Sequence, residues 1–263
     1  MISKPGIDHG AAFDWGRVSE NYAKFRDVYP PAFYDKIMEL GLCVKGQQVL
    51  DLGTGTGVLP RNLYPYGAQF TGADISENQI AHAKRLSAEA NMDIEYVVAS
   101  AEDANFPDQS FDVVTACQCF HYFDKAAALP NIHRMLKPGG HFCILFMTPL
   151  PSDSEIVRRG EELVLQYNPA WTGGGVGRYT PPETPAWAKP LYEAANIVTF
   201  DLNVPFTREN WHGCMMTCRG ISASFVSEET TAAFEQAHLA YLNTLPDSFE
   251  IPHFVTMLNL RKQ

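Results

Sequence analysis

The chain contains no C-x-x-C pair, no long apolar run and no excess of basic residues, and each absence removes a class of function. Cys43, Cys117, Cys119, Cys143, Cys214 and Cys218 lack the paired spacing that a zinc or dithiol redox framework needs, so no metal site is expected. Three of them fall in apolar, strand-like runs, where a free thiol packs as a small hydrophobe. The most apolar stretch, 113–123, includes Thr115, Gln118 and His121 and is too short to span a bilayer. Residues 1–10 have no apolar core of a secretion signal. A cytoplasmic protein with reduced thiols and no membrane partner is the expectation. Twenty basic against thirty acidic residues leave a formal charge of −10, which repels phosphate backbones. The nearest thing to a basic patch is Arg158-Arg159, so no nucleic-acid partner is expected. There is no internal repeat.

What is present is a globular composition, 46% apolar and 19% charged over 263 residues. A chain of this length buries roughly 70–75% of its unfolded surface and needs no metal or disulfide staple. From 47 to 147, short apolar runs alternate with amphipathic stretches, the pattern of an open parallel α/β sheet. Strands are expected at 48–52, 69–74, 94–98, 111–116 and 141–147, with helices at 58–64, 76–90 and 125–136. Ser76 followed by Gln79 has capping-box spacing, and Lys137-Pro138-Gly139-Gly140 reads as a turn. Two helices split at Pro30-Pro31 are expected within 14–40. Prolines and glycines crowd 149–190, around Trp171, Tyr179 and Trp187, which suggests a helical insertion with mobile loops, a lid. A sixth strand at 197–204, a helix at 228–245 and a last strand at 251–260 complete the reading. The corresponding division is an N-terminal helical cap at 1–44, a cofactor-binding core at 45–147, an insertion at 148–196 and a C-terminal completion of the sheet at 197–263.

The sharpest motif is Val49-Leu50-Asp51-Leu52-Gly53-Thr54-Gly55-Thr56-Gly57. Alternate glycines after a buried strand let the backbone turn tightly and approach a ligand at the carboxyl end of the sheet. The third glycine of a dinucleotide loop would fall at Val58, so that spacing fails. No lysine lies in the loop to cradle phosphate, and Asp51 beside it repels pyrophosphate but suits a cation. A cationic nucleoside fits all three observations. Asp74, 17 residues past Gly57, sits where a carboxylate accepts hydrogen bonds from both hydroxyls of a ribose, and Ile75 can lie on a base face.

With these residues the chain resembles the class I S-adenosylmethionine-dependent methyltransferases. The acid and G-x-G-x-G of the family's first motif are matched by Asp51, Gly53, Gly55 and Gly57, and the acid ending its second strand by Asp74. The stretch Ser100-Ala101-Glu102-Asp103, leading to 106–114, looks like its adenine-contact region, with Ser100 where many members carry Asp. The turn at 136–140 is also typical. The resemblance covers about 45–147 and implies a Rossmann-like, doubly wound, seven-stranded α/β sheet whose last strand is antiparallel. It further implies that Asp51, Thr54 and the glycines receive the amino-acid part of S-adenosyl-L-methionine, Asp74 the ribose, and Ile75, Ser100, Ala101 and Glu102 the adenine.

On the acceptor side, an activated sulfonium needs positioning more than covalent help. Cys117-Gln118-Cys119-Phe120-His121-Tyr122-Phe123-Asp124 lies where the methyl should project, with Cys117 toward the cofactor and His121 either a base near neutral pH or a cap of the next helix. No Pro-Pro-aromatic follows there, which disfavours an exocyclic amino group as acceptor. That run, together with 22–30, is similar to a small-molecule branch that includes trans-aconitate methyltransferase-like, type 11 proteins. By that likeness Tyr22, Arg26 and Tyr29 line the methyl site or grip the cofactor carboxylate, Tyr22 also being a candidate catalytic residue; an ordinary amphipathic helix is the other reading. His212, Cys214 and Cys218 fit helix packing better than a metal site. The expectation is methyl transfer to a small-molecule acceptor by in-line displacement. A Rossmann-type oxidoreductase and a non-catalytic protein retaining the pocket stay open as alternatives.

Overall fold

Apolar residues along the chain switch between a period of two and a period near 3.6, and strands and helices follow the switch. The computed structural model describes residues 1–263. Its first elements are α1 (Ser19–Phe25), α2 (Pro31–Glu39), β1 (Gln48–Leu52), α3 (Val58–Leu63), β2 (Gln69–Asp74), α4 (Glu77–Glu89) and β3 (Glu95–Val98). There follow β4 (Phe111–Cys117), α5 (Lys125–Met135), β5 (Leu136–Pro149), α6 (Glu155–Tyr167), β6 (Tyr192–Thr207), α7 (Arg208–Met216), α8 (Glu228–Leu242) and β7 (Ser248–Lys262). The chain forms two compact units. One comprises Tyr29–Met147, Tyr179–Phe200 and Val255–Gln263; the other comprises Met1–Val28, Thr148–Arg178 and Asp201–Phe254.

The sheet has seven strands in the order β3-β2-β1-β4-β5-β7-β6. β1 pairs in parallel with β2 and β4, β2 with β3, and β4 with β5. β7 runs the other way: Lys262 reaches the Leu136 carbonyl while Asn259 meets His141, so residue numbers fall on β7 as they rise on β5. Gln263 N–H donates to Leu191 O and Arg261 pairs with Glu193, which sets β7 against β6 as well. This is the seven-stranded sheet with an antiparallel last strand that the resemblance implies. The strand order reverses beside β1, so the carboxyl ends of β1 and β4 form the switch point at which open α/β sheets place their ligand crevice.

Leu50 and Leu52 of β1, Val114 and Ala116 of β4, and Phe142 and Ile144 of β5 alternate along their strands. They bury one common face against Ala128, Leu129, Ile132 and Met135 of α5. Each large side chain so buried is worth about 1.5–3 kcal/mol. Caps set the helix starts: Ser76 Oγ accepts from Gln79 N–H at 3.4 Å, and Asp124 Oδ1 from Ala126 N–H at 3.0 Å.

Three stretches differ from the sequence reading. The turn expected at 137–140 is instead the start of β5, where Phe111 pairs with Leu136 but Val113 already pairs with His141. Gly139, at φ +71°, lets the intervening residues loop out while pairing continues on either side. β6 and β7 both extend beyond the expected 197–204 and 251–260, because backbone pairing continues past the apolar stretch that marks a strand in sequence. The helix α7 carries no such mark. Its buried residues Trp211, Gly213, Cys214 and Met215 are nearly consecutive rather than striped. Cys214 lies in α7 and its thiol meets the Phe25 carbonyl, whereas Cys218 falls beyond the helix end. His212 Nδ1 lies 2.9 Å from His238 Nδ1, and no group of three or more metal-binding side chains forms anywhere in the chain. No helix is long and apolar enough to cross a membrane.

Candidate functional site

Three glycines shape the loop that leaves β1. Gly53, Gly55 and Gly57 have φ of +66°, +56° and +75°, a region closed to most L side chains. Thr54 N–H donates to Ala73 O at 3.0 Å and Gly57 N–H to Thr54 O at 2.9 Å, which ties the loop to the end of β2. Protein packs closely behind it. A Cβ on Gly53 would lie 2.7 Å from Cys119 Sγ, and one on Gly57 would lie 2.3 Å from the Tyr96 hydroxyl.

Two carboxylates flank this loop. Asp51, 2% exposed, accepts from Thr115 Oγ1 at 2.6 Å, a partner supplied by the β1–β4 register that sets the two residues side by side. Burial nevertheless pushes its pKa up to about 6, the Thr115 hydrogen bond only partly offsetting it. Asp74 Oδ1 accepts from Ser76 N–H and Oδ2 from Gly55 N–H, each at 2.9 Å, so it holds the glycine loop as well as facing the crevice end of β2. Burial raises its pKa too, against those backbone hydrogen bonds. No lysine, arginine or histidine lowers either value. Beside Asp74, Ile75 is 46% exposed, an apolar surface at the mouth of the crevice. Two desolvated carboxylates without a protein counter-charge suit a ligand that brings its own positive charge and its own hydroxyl donors. The residues therefore fit a cationic nucleoside.

Of the other candidates, Ser100 has its hydroxyl engaged by the following turn: Oγ donates to Asp103 Oδ2 at 2.9 Å and accepts from Asp103 N–H at 3.0 Å. Ala101 is buried, and Glu102 Oε1 accepts from Asp124 N–H at 2.6 Å. The Cys117 thiol donates to the Tyr29 hydroxyl at 3.6 Å, and burial raises its pKa well above the ordinary thiol value. His121 is exposed, its ring centroid 3.8 Å from that of Tyr122 and 5.8 Å from that of Phe146. Tyr22 and Arg26 belong to the other unit. There, Arg26 Nε donates to Thr217 Oγ1 at 2.7 Å and its guanidinium lies 5.5 Å from the Tyr22 ring centroid. Sequence reasoning missed Thr115 and Tyr96. A threonine in the apolar run 113–116 was the visible signal for the first; Tyr96 carried none.

An open sheet with a glycine loop and two strand-end carboxylates defines a nucleoside-binding α/β protein. Comparison with known proteins narrows that class. The methyltransferase-domain family profile matches residues 50–144. The ubiquinone biosynthesis O-methyltransferase of Pseudomonas entomophila (strain L48) is 31% identical over 200 residues, 74% of this chain and 83% of that protein. The protein of the same name from Pseudomonas syringae pv. tomato is 33% identical over 180 residues, 66% and 75% of the two chains. Among solved structures, the YcgJ protein of Bacillus subtilis has a TM-score of 0.52 at 19% identity, covering 88% of this chain and 98% of its own. A Bacillus halodurans C-125 protein has a TM-score of 0.54 at 18% identity, with the same coverage of 88% and 98%. These two share the fold. The chain belongs to the class I S-adenosylmethionine-dependent methyltransferases. It is an enzyme that takes its methyl group from S-adenosyl-L-methionine, and neither alternative reading is favoured.

Proposed function

We propose that Asp51, Thr54 and the glycines 53, 55 and 57 hold the amino-acid part of S-adenosyl-L-methionine, Asp74 the ribose, and Ile75 with Ser100, Ala101 and Glu102 the adenine. The observation that carries this is the pair of desolvated carboxylates on a left-handed glycine loop, unmatched by any protein cation. Bound S-adenosyl-L-methionine supplies an electrophilic methyl group on a sulfonium, open to in-line displacement. The protein's part is to bind and orient: Asp51 offsets positive charge, and Asp74 couples hydroxyl recognition to loop geometry through Gly55. The names of the curated relatives support an oxygen acceptor on a small molecule, and His121 then receives the hydroxyl proton. Cys117, Tyr22 and Arg26 keep the roles implied by the resemblance as part of this proposal, and so does the division at 44, 147 and 196. The six unpaired cysteines support a reducing, cytoplasmic setting.

Asp74→Ala tests the assignment. Loss of charge-assisted hydrogen bonds is expected to weaken S-adenosylhomocysteine binding by about 1–3 kcal/mol, roughly 5- to 150-fold, in titration calorimetry. Unchanged affinity in a folded variant refutes the ribose role.

A further inference from the structure

Residues 1–14, the loop 168–175 after α6 and the segment 217–224 after α7 belong to one compact unit, and none of the three contains an α-helix. They meet at Asp8. This carboxylate is 4% exposed, a burial that is tolerated only when its oxygens are paired. Thr172 supplies most of the pairing: its N–H and its hydroxyl donate to Asp8 Oδ1 at 2.7 and 3.0 Å. The same hydroxyl accepts from Asp8 N–H at 3.1 Å, so two residues 164 positions apart are joined in both directions. Asp8 Oδ2 lies 3.4 Å from Nε of Arg219, whose side chain is itself 10% exposed.

Each partner is anchored in turn. Asn168 Nδ2 donates to Gly220 O and Gly175 N–H to Glu161 Oε2, both at 2.8 Å, which fixes the loop on either side of Thr172. The Arg219 guanidinium lies 5.7 Å from the Phe13 ring centroid, and Asp14 N–H donates to Ala223 O at 2.7 Å. Ile2 and Phe13 exchange backbone hydrogen bonds at 2.7 and 2.9 Å, closing the segment 1–14 on itself. The backbone at the meeting point is strained by comparison. Asp8, His9 and Gly10 have φ of +46°, +53° and +84°, a left-handed run that disfavours side chains at the first two. His9 is exposed, so the contacts of Asp8 beside it are what hold that run in place.

We propose that Asp8 is a clasp that makes the segment 1–14 and the loop 168–175 one cooperative element, so that the two open together. The strain at residues 8 and 9 works against the clasp, as in a strap under tension. This device stands apart from the cofactor reading, since all its residues lie outside the unit that carries the glycine loop.

Hydrogen exchange of the full-length protein, read by mass spectrometry, tests the coupling through three substitutions. Asp8→Asn suits the left-handed backbone as well as aspartate does but turns an amide toward the buried Arg219. Exchange in 168–175 should then run roughly 10- to 100-fold faster. Thr172→Val keeps the shape and loses the hydroxyl, and exchange in 1–14 should rise about 3- to 10-fold. Reciprocal effects of this kind are what coupling requires and what a merely local contact would not produce. His9→Gly relieves the strain and leaves the clasp intact, so exchange in both segments should slow about 2- to 5-fold. Strands β1 to β4 should keep wild-type exchange throughout. Unchanged exchange in the segment opposite the substituted one overturns the proposal. So does unchanged or faster exchange in His9→Gly, or an acceleration spread evenly along the chain. Should Asp8→Asn fail to fold, Thr172→Val and His9→Gly decide the matter between them.

Discussion

Asp51→Asn is expected to make the free protein more stable at neutral pH while costing it most of its cofactor affinity. Burial holds the Asp51 pKa near 6, against about 3.8 for the unfolded chain. Between those values the unfolded chain has lost the proton and the native protein still holds it, so native Asp51 binds more protons and stability falls as pH rises. The loss is complete above pH 6 and amounts to about 3 kcal/mol. Asparagine carries no charge, and its amide oxygen can still accept from Thr115, so the variant avoids that loss. Its melting temperature should therefore match wild type near pH 4 and exceed it by several degrees at pH 7.5, given about 2–4 °C per kcal/mol in a chain of this size. Cofactor binding should move the opposite way. Without the buried negative charge, affinity for S-adenosyl-L-methionine should drop by about 2–3 kcal/mol, roughly 30- to 150-fold. In wild type the affinity should also climb from pH 5 to pH 7 as Asp51 ionises, and in the variant that climb should vanish. Thermal melts and calorimetry across pH check both. A melting-temperature difference independent of pH sinks the burial argument; equal affinities sink the binding role.

Much of this site is legible in the chain because its central parts are local. The strand, the glycines and Asp51 lie within ten residues, and Asp74 closes the next strand, so spacing alone separates a cationic nucleoside from phosphate ligands. The helix α4 is equally legible, since Ser76 and Gln79 mark its first turn. The rest depends on residues that meet only after folding. Thr115 reaches Asp51 across 64 positions, and Arg134 and Asn131 reach the turn at 101–106 across nearly thirty. No periodicity links such partners. Ser100 shows the limit from the other side: its place in the motif is readable, but its hydroxyl is absorbed by Asp103, three residues away, a turn contact that competes with any ligand. Likewise, the 137–140 turn chemistry is real, yet β4 pairing on both sides makes it a bulge in β5 rather than a break.

Gly57→Ala is expected to destabilise the protein by about 3 kcal/mol or more, lowering the melting temperature by roughly 6–12 °C. Two costs combine. Alanine at φ +75° sits in the left-handed region, which costs roughly 1–2 kcal/mol. Its Cβ would also fall 2.3 Å from the Tyr96 hydroxyl and 2.9 Å from Cζ, so one of them must move. Tyr96 has little room to retreat. Its hydroxyl is hydrogen-bonded to Ser87 Oγ at 3.0 Å, and a Cβ on Gly72 of β2 would lie 2.7 Å from its Cδ1, so the ring is wedged between the loop and the sheet. Tyr96→Phe removes the nearest atom and should recover part of the loss in the double variant, leaving the backbone strain uncorrected. A double-mutant cycle measured by denaturant unfolding gives the coupling directly. Additive effects of the two substitutions would show that Tyr96 yields freely, and the loop would then owe its shape to glycine backbone preference alone. Coupling of about a kilocalorie or more would instead mean that β3 buttresses the loop from behind, so that the curvature offered to the cofactor is set partly by a side chain on a strand two places from β1.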